Sequence, residues 1–392
     1  MKKVLGLILE LNPFHNGHKY FIDKAIEKVN PDIVIAIISG NYTMRGEASV
    51  VDKWTKTKLL LESKVEIVLE LPFISAINSA DFFALNSISI LNKFKITDLA
   101  FGVELDNLEK LKKMKDIIDS DLFNSAIKEK LNTGLSYSAS AFKVLNELVH
   151  DLEITENFTL PNNTLGIQYL RSIEKLNKNI KVHLIKRIDN NYYDKHTTNK
   201  ISSATSLRVL LEEDKNIEDF IPSFNENLNF YNPKLIEDNI LYLLKYNFYN
   251  NHISHFSNIF GVSEGIENRI YSFLDKINSY QELIDNVKTK RYTPNKIKRL
   301  ILHIIMNTNI KYQDKANFYL RVLGASNSGF EYINTLPKTT KSKIITSFKN
   351  KEDNELVQLE LKASKIYSLL TDQKDLYLNE FKVPVTGGRN DN

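Results

Sequence analysis

Two histidines three residues apart, His15 and His18, lie in the string Glu10-Leu11-Asn12-Pro13-Phe14-His15-Asn16-Gly17-His18. Imidazoles at that spacing can both face one anion and neutralise charge in an in-line displacement at phosphorus. Gly17 carries no side chain, so a nucleotide can come close to the backbone between them. The flanking residues show what holds the pair. Val4 to Leu9 is an apolar run that reads as a buried strand, and Asn12-Pro13 ends it, because proline cannot continue a central strand. Beyond Gly17, the residues Tyr20, Phe21, Ala25, Ile26 and Val29 recur at helical spacing, so a helix begins near His18. The histidines therefore occupy a strand-to-helix turn, where free N–H groups and the helix dipole favour an anion such as phosphate.

Further apolar runs at Ile33 to Ile38, Glu66 to Leu71 and Leu99 to Val103 read as strands, Lys181 to Ile188 is strand-like with Lys186-Arg187 near its end, and helical patterns lie between. That alternation predicts a doubly wound α/β domain with a parallel sheet covered on both faces. Ligands of such sheets sit beyond the carboxyl ends of the strands, which brings the histidine turn, Ser39-Gly40-Asn41 and Phe101-Gly102-Val103-Glu104 to one edge. Arg45 and Lys53, after the second strand, are candidates to hold a carboxylate or phosphate; each reads equally as a solvated surface charge. Asn162 and Asn163 stand where they would cap a helix over 165–176. Ser202-Ser203-Ala204-Thr205-Ser206-Leu207-Arg208 places hydroxyl caps before another helix.

Hydrophobic residues make up 42% of the 392 and charged ones 26%, an ordinary globular composition for two or three domains. The absence of cysteine excludes disulfides, thiolate zinc sites and cysteine nucleophiles together. Glu10 interrupts the first apolar run and no cleavage site follows, so no signal peptide is expected. No run reaches transmembrane length, and the expected location is the cytoplasm, without a membrane. The net charge of +4 says little by itself about nucleic acid; clustering is what counts. From about residue 226 helical periodicity dominates, predicting a catalytic domain over 1–225 and a mostly helical domain over 226–385. Lys288, Lys290, Arg291, Lys296, Lys298 and Arg299 cluster there around Tyr292, a composition suited to RNA phosphates and equally to a solvated lysine-rich helix. The tail, 386–392, is expected to be disordered.

The turn resembles the His-x-Gly-His signature of the nucleotidylyltransferase superfamily, and the Ser202–Arg208 stretch resembles its second signature, a loop that closes on the triphosphate. The wider set is Glu10 to His18, Ser39-Gly40-Asn41, Arg45-Gly46-Glu47, Asp52-Lys53-Trp54, Phe101 to Glu104, Asn162-Asn163, Lys186-Arg187 and Tyr319 to Gly324. It is similar to the bacterial tRNA(Met) cytidine acetate ligase family over nearly the whole chain. That resemblance implies a nucleotidylyltransferase-like (HUP-type) fold and an ATP-dependent reaction. Acetate would be adenylated with release of pyrophosphate, and N4 of the wobble cytidine of elongator tRNA(Met) then acetylated. His15 and His18 would be catalytic. ATP would contact Leu7, Ile8, Leu9, Glu10, Asn12, Pro13, Phe14, Gly17, Tyr20, Gly102, Asn162 and Arg187, with Ser203 and Thr205 from the second signature. Ser39, Asn41, Arg45, Lys53, Lys290, Arg291, Lys296 and Arg299 are expected at substrate or tRNA. Mg²⁺ is expected with the triphosphate, where it offsets charge, with no metal site built by the protein and no obligate protein partner evident. Leu11, Met44, Ala48 and Val103 depart from the family pattern, which has an aromatic, Gln, Pro and Ser there. The alternatives are a nucleotidylyltransferase acting on a small phosphate-bearing substrate and a non-catalytic tRNA-binding protein.

Overall fold

The computed structural model describes residues 2–149, 151–187, 202–222, 228–312, 319–351 and 353–387. The apolar runs become β1 (Val4–Leu9), β2 (Ile33–Ile38), β3 (Ile67–Glu70), β4 (Asp98–Val103) and β5 (Lys181–Lys186), all paired in parallel. Strands without a polar face need cover on both sides. Alternation sends Val4, Ile33, Ile35 and Ile37 to one face and Leu5, Leu7, Val34, Ala36 and Ile38 to the other. The second face is covered by α1 (Asn16–Val29) and α2 (Lys53–Glu62). After the short α3 (Phe73–Ala76), the first face is built from α4 (Ala80–Lys93), α5 (Leu108–Asp119), α6 (Asp121–Asn132), α7 (Tyr137–Leu148), α8 (Leu152–Asn157) and α9 (Pro161–Leu176).

The sheet has eight strands in the order β5-β4-β1-β2-β3, then β6 (Leu320–Ala325) and β7 (Ile344–Ile345), with β8 (Val385–Thr386) paired to β6. The chain winds outward from β1 through β2 and β3, then crosses back to lay β4 beside β1 on the other side. The loops leaving β1 and β4 therefore diverge, and that crevice is where open α/β sheets take ligands.

The region after α10 (Ala204–Glu212) is mostly helical: α11 (Pro233–Asn250), α12 (Ile266–Leu274), α13 (Tyr280–Val287) and α14 (Pro294–Ile305). Its apolar core takes in Tyr42, Ala48, Phe73, Ile74 and Ile77 from the loops after β2 and β3, so these helices sit on the carboxyl edge of the sheet. The chain then returns to the sheet, which the sequence reading did not anticipate. β6 runs antiparallel to β3, and β7 and β8 pair with β6. All of β6 is buried, including Arg321, whose charge is met by Glu380 inside the protein. α15 (Asn327–Thr335), α16 (Lys338–Lys341) and α17 (Glu355–Leu370) complete the region. Thr386, from the stretch expected to be a disordered tail, belongs to β8, while 388–392 lie outside the described residues. No described helix is long and apolar enough to cross a membrane.

Candidate active site

His15 is the N-cap of α1, with extended backbone, and its Nδ1 accepts the Gly17 N–H at 3.0 Å. His18, one turn in, returns the contact: its Nδ1 accepts the His15 N–H at 3.3 Å. The pair thus builds a capping box from imidazoles in place of the usual hydroxyl and carboxylate. The rings lie against each other, centroids 3.8 Å apart at 39°. A ring nitrogen that accepts carries no proton, so in each neutral imidazole the proton sits on Nε2. Among the described residues neither Nε2 has a hydrogen-bond partner. Burial, with Arg187 adding to it, pushes the His15 imidazole down to about 4, and burial with His15, Arg187 and Lys56 holds His18 well below its ordinary range. Both are therefore neutral donors at pH 7. Where the sequence suggests two groups that neutralise an anion's charge, the structure shows two neutral Nε2–H donors.

Two buried groups brace the turn from below. Lys56 of α2 donates to Glu10 O at 3.1 Å and Gly40 O at 2.7 Å, tying together the ends of β1 and β2. Burial pushes its ammonium down to about 7. The Glu10 carboxylate accepts the Met44 N–H at 2.5 Å, and burial raises its pKa. Between them Leu11 adopts φ 57°, which costs a non-glycine residue about 1–2 kcal/mol. Asn12, joined to Pro13 by a cis peptide, is buried; its Oδ1 accepts Val50 N–H at 2.9 Å and Ser49 Oγ–H at 3.2 Å.

Glu47 gathers the surrounding elements. Arg208, from α10, places Nη1 on Asn12 O at 2.9 Å and Nη2 on Glu47 Oε2 at 3.2 Å, and Lys298 of α14 lies 3.6 Å from Glu47 Oε1. Ser203 caps α10, its Oγ accepting Ser206 N–H at 3.1 Å, and Thr205 is exposed beside Arg208. α14 approaches so closely that a Cβ on Gly46, at φ 81°, would come within 2.4 Å of the Arg299 nitrogen. Arg299 Nη1 then donates to Met44 O at 2.9 Å. Sequence reasoning put Arg299 on a remote tRNA surface; the structure puts it on the loop that Glu10 holds.

Across the crevice, Gly102 stands next to last in β4, where an added Cβ would be in van der Waals contact with Arg187 Cγ at 3.6 Å, so the glycine keeps the backbone bare there. Arg187 follows β5 and donates from Nη1 to Asn162 Oδ1 at 3.2 Å. The asparagine pair does not form the helix cap expected of it. α9 begins at Pro161, so Asn162 and Asn163 lie in its first turn and bond to the Glu104 segment instead. Arg187 lowers the pKa of both histidines, so its charge acts on them from across the crevice.

Several expected contacts face inward. Leu7 and Leu9 point into the core beneath α1, leaving only backbone to a ligand, whereas Ile8 and Tyr20 are half-buried. Pro13 and Phe14 are buried. Ser39 and Asn41, expected at substrate, are also buried, and the Asn41 Oδ1 accepts the Lys53 N–H at 2.9 Å. Lys53 is 1% exposed and ion-paired at 2.5 Å with both Glu70 and Glu380, so it cannot reach a tRNA phosphate. Of the basic cluster, Lys288 pairs with Asp285 and Arg291 with Glu264. Lys290 and Lys296 are exposed, Lys296 lying 3.9 Å over the Tyr292 ring, and Arg45 is exposed on its loop. Sequence reasoning missed Lys56. Its signal was a lysine three residues after Lys53 on a helix face otherwise filled by Leu59 and Leu60.

The family model described as HIGH Nucleotidyl Transferase matches residues 1–380. A curated relative from Clostridium kluyveri, named tRNA(Met) cytidine acetate ligase, is 37% identical over 96% of this chain and 97% of its own length. One of the same name from Thermosipho africanus is 36% identical over 89% and 86%. Among solved structures, apo TmcAL of Thermotoga maritima superposes with a TM-score of 0.85 at 29% identity, covering 98% of this chain and all of that one. The same protein bound with alpha-thio ATP also gives 0.85, at 28% identity.

Proposed function

Since the chain belongs to the HIGH nucleotidyl transferase family, and within it to the tRNA(Met) cytidine acetate ligases, we propose that it activates acetate with ATP and transfers the acetyl group to tRNA. An acetate oxygen attacks the α-phosphorus, the bond from phosphorus to the bridging oxygen breaks, and pyrophosphate leaves. The N4 amine of the wobble cytidine of tRNA(Met) then attacks the acetyl carbonyl, AMP departs, and the amine gives up one proton. The observation that carries this reading is the histidine pair: both Nδ1 atoms are used by the backbone, so both Nε2–H groups remain for the α-phosphate. Such donors act most strongly as charge builds on the phosphoryl oxygens, which is where a contact lowers the barrier. Gly102, Asn162 and Arg187 form the far wall for the nucleotide. Mg²⁺ enters as a partner of the triphosphate, and among the described residues no group of three or more His, Asp or Glu is arranged to hold a metal.

Incubation with ATP, Mg²⁺, labelled acetate and total tRNA, followed by nucleoside analysis, tests the proposal. Labelled N4-acetylcytidine in elongator tRNA(Met) is the expected product. Label appearing in no nucleoside would overturn the reading.

A further inference from the structure

Glu104, the residue after β4, governs the wall of the crevice opposite the histidine turn. Its Oε1 accepts the Asn162 Nδ2–H at 2.5 Å and the Asn162 backbone N–H at 3.3 Å, and its Oε2 accepts the Asn163 N–H at 2.9 Å. The clamp is reciprocal. The Asn163 Oδ1, fully buried, accepts the backbone N–H groups of Glu104 and Leu105, each at 3.1 Å. An ionised carboxylate only accepts hydrogen bonds. It therefore binds the NH₂ side of the Asn162 amide and turns the carbonyl oxygen outward, where Arg187 Nη1 meets it at 3.2 Å. An amide turned the other way would present N–H to a guanidinium that also only donates.

We propose that Glu104 is a positioning residue for the nucleotide: it fixes the orientation of the Asn162 amide and, through it, the placement of Arg187. This rests on the reading of the crevice as an ATP site. It predicts a chain of dependence, since Glu104 matters to ATP only while Arg187 is there to be placed. A residue that merely stabilised the first turn of α9 would act the same with or without Arg187.

The test is ATP binding by calorimetry on the full chain, with thermal stability recorded for each variant. Wild type must bind ATP; if it does not, the reading of the site fails and the role of Glu104 falls with it. Given binding, Glu104→Gln should weaken ATP affinity about tenfold, the order lost with one hydrogen bond to a charged group. In an Arg187→Ala background the same change should alter affinity less than twofold. Glu104→Asp keeps the charge at the helix end but is one methylene short of the Asn162 amide. It should lose the same affinity as Glu104→Gln while unfolding within a few degrees of wild type. Unchanged affinity in either single variant, or an equal loss with and without Arg187, would overturn the proposal for an enzyme that otherwise binds ATP.

Discussion

Two clusters of polar residues lie on neighbouring parts of the sheet's carboxyl edge, and they use burial in opposite ways. In the histidine turn, backbone N–H groups take one nitrogen of each ring and leave the other open. Behind it, Lys53, Glu70, Glu360, Glu380 and Arg321 pair their charges with one another out of reach of solvent, with Glu70 Oε2 and Arg321 Nε and Nη1 left without a hydrogen-bond partner among the described residues. Lys53 Nζ lies 2.5 Å from both Glu70 and Glu380 and 3.9 Å from Glu360, and Arg321 Nη2 lies 3.2 Å from Glu380. Ser364 Oγ donates to Glu380, and Phe73 N–H and Tyr319 O–H donate to Glu360. Burial raises the pKa of both Glu70 and Glu360, and for Glu360 the Glu70 charge adds to it, while Lys53 opposes the rise in both. Charged groups buried on all sides must compensate one another; neutral imidazoles at an open edge need not. His303 sharpens the point. Buried in the helical core with Nε2 on Ile77 O at 2.9 Å, it is pushed down to about 4 like His15, without access to any ligand. His303 Nδ1 is buried without a partner too, so a depressed imidazole with an unused nitrogen marks burial alone; two unused Nε2 atoms side by side at the crevice mark the site.

The largest expected effect breaks the closed cluster. Lys53→Met leaves Arg321 to serve the carboxylates alone and should cost about 3–5 kcal/mol in urea unfolding, the usual consequence of stranding a buried charge. A loss under 1 kcal/mol would show that the network is not held by Lys53. The second effect falls on the open cluster. His18→Ala should lower kcat by about two to three orders of magnitude with a smaller change in ATP affinity, the pattern of a contact made in the transition state. An unchanged kcat would return His18 to the role of a helix cap.

Acid titration compares the two kinds of buried imidazole. An unfolded histidine takes up its proton near 6.5 and folded His303 near 4, so its contribution to stability is complete above 6.5 and lost as pH falls toward 4. His303→Gln keeps a donor for Ile77 O and removes that titration. Between pH 6.5 and 4 the variant should lose up to roughly 3 kcal/mol less than wild type in denaturant unfolding. Parallel curves would contradict the assignment. The smallest effect concerns the exposed cations. Lys290→Ala with Lys296→Ala should reduce the slope of log tRNA affinity against log salt by about two units and leave adenylation intact. Arg299→Ala, in contrast, should impair both, because its guanidinium holds Met44 O.

Much of this was legible in the sequence because it is written in local patterns. The central parallel strands, β1 and β2, were unbroken apolar runs, and the histidine turn was a strand, a proline and a helix in direct succession. What escaped reading depended on residues far apart in the chain. β6 looked like one more helical-region segment because its partners, β3 and β8, are set by the return of the chain, and Arg321 disguised a fully buried strand. Lys53 and Arg299 read as phosphate ligands because composition records a charge and not its partner: Glu380 lies 327 residues from Lys53 (380 − 53), and Met44 lies 255 from Arg299. Asn162 and Asn163 read as a cap because Glu104, which they bind, lies 58 and 59 residues away.

The most direct test of the central claim is acetate-dependent exchange of labelled pyrophosphate into ATP, in the presence of Mg²⁺ and with tRNA left out. The two neutral histidines and the crevice between β1 and β4 predict exchange that requires acetate, needs no tRNA, and disappears in His18→Ala while ATP still binds. Exchange that proceeds equally without acetate, or no exchange at all from a chain that binds ATP, would contradict the account.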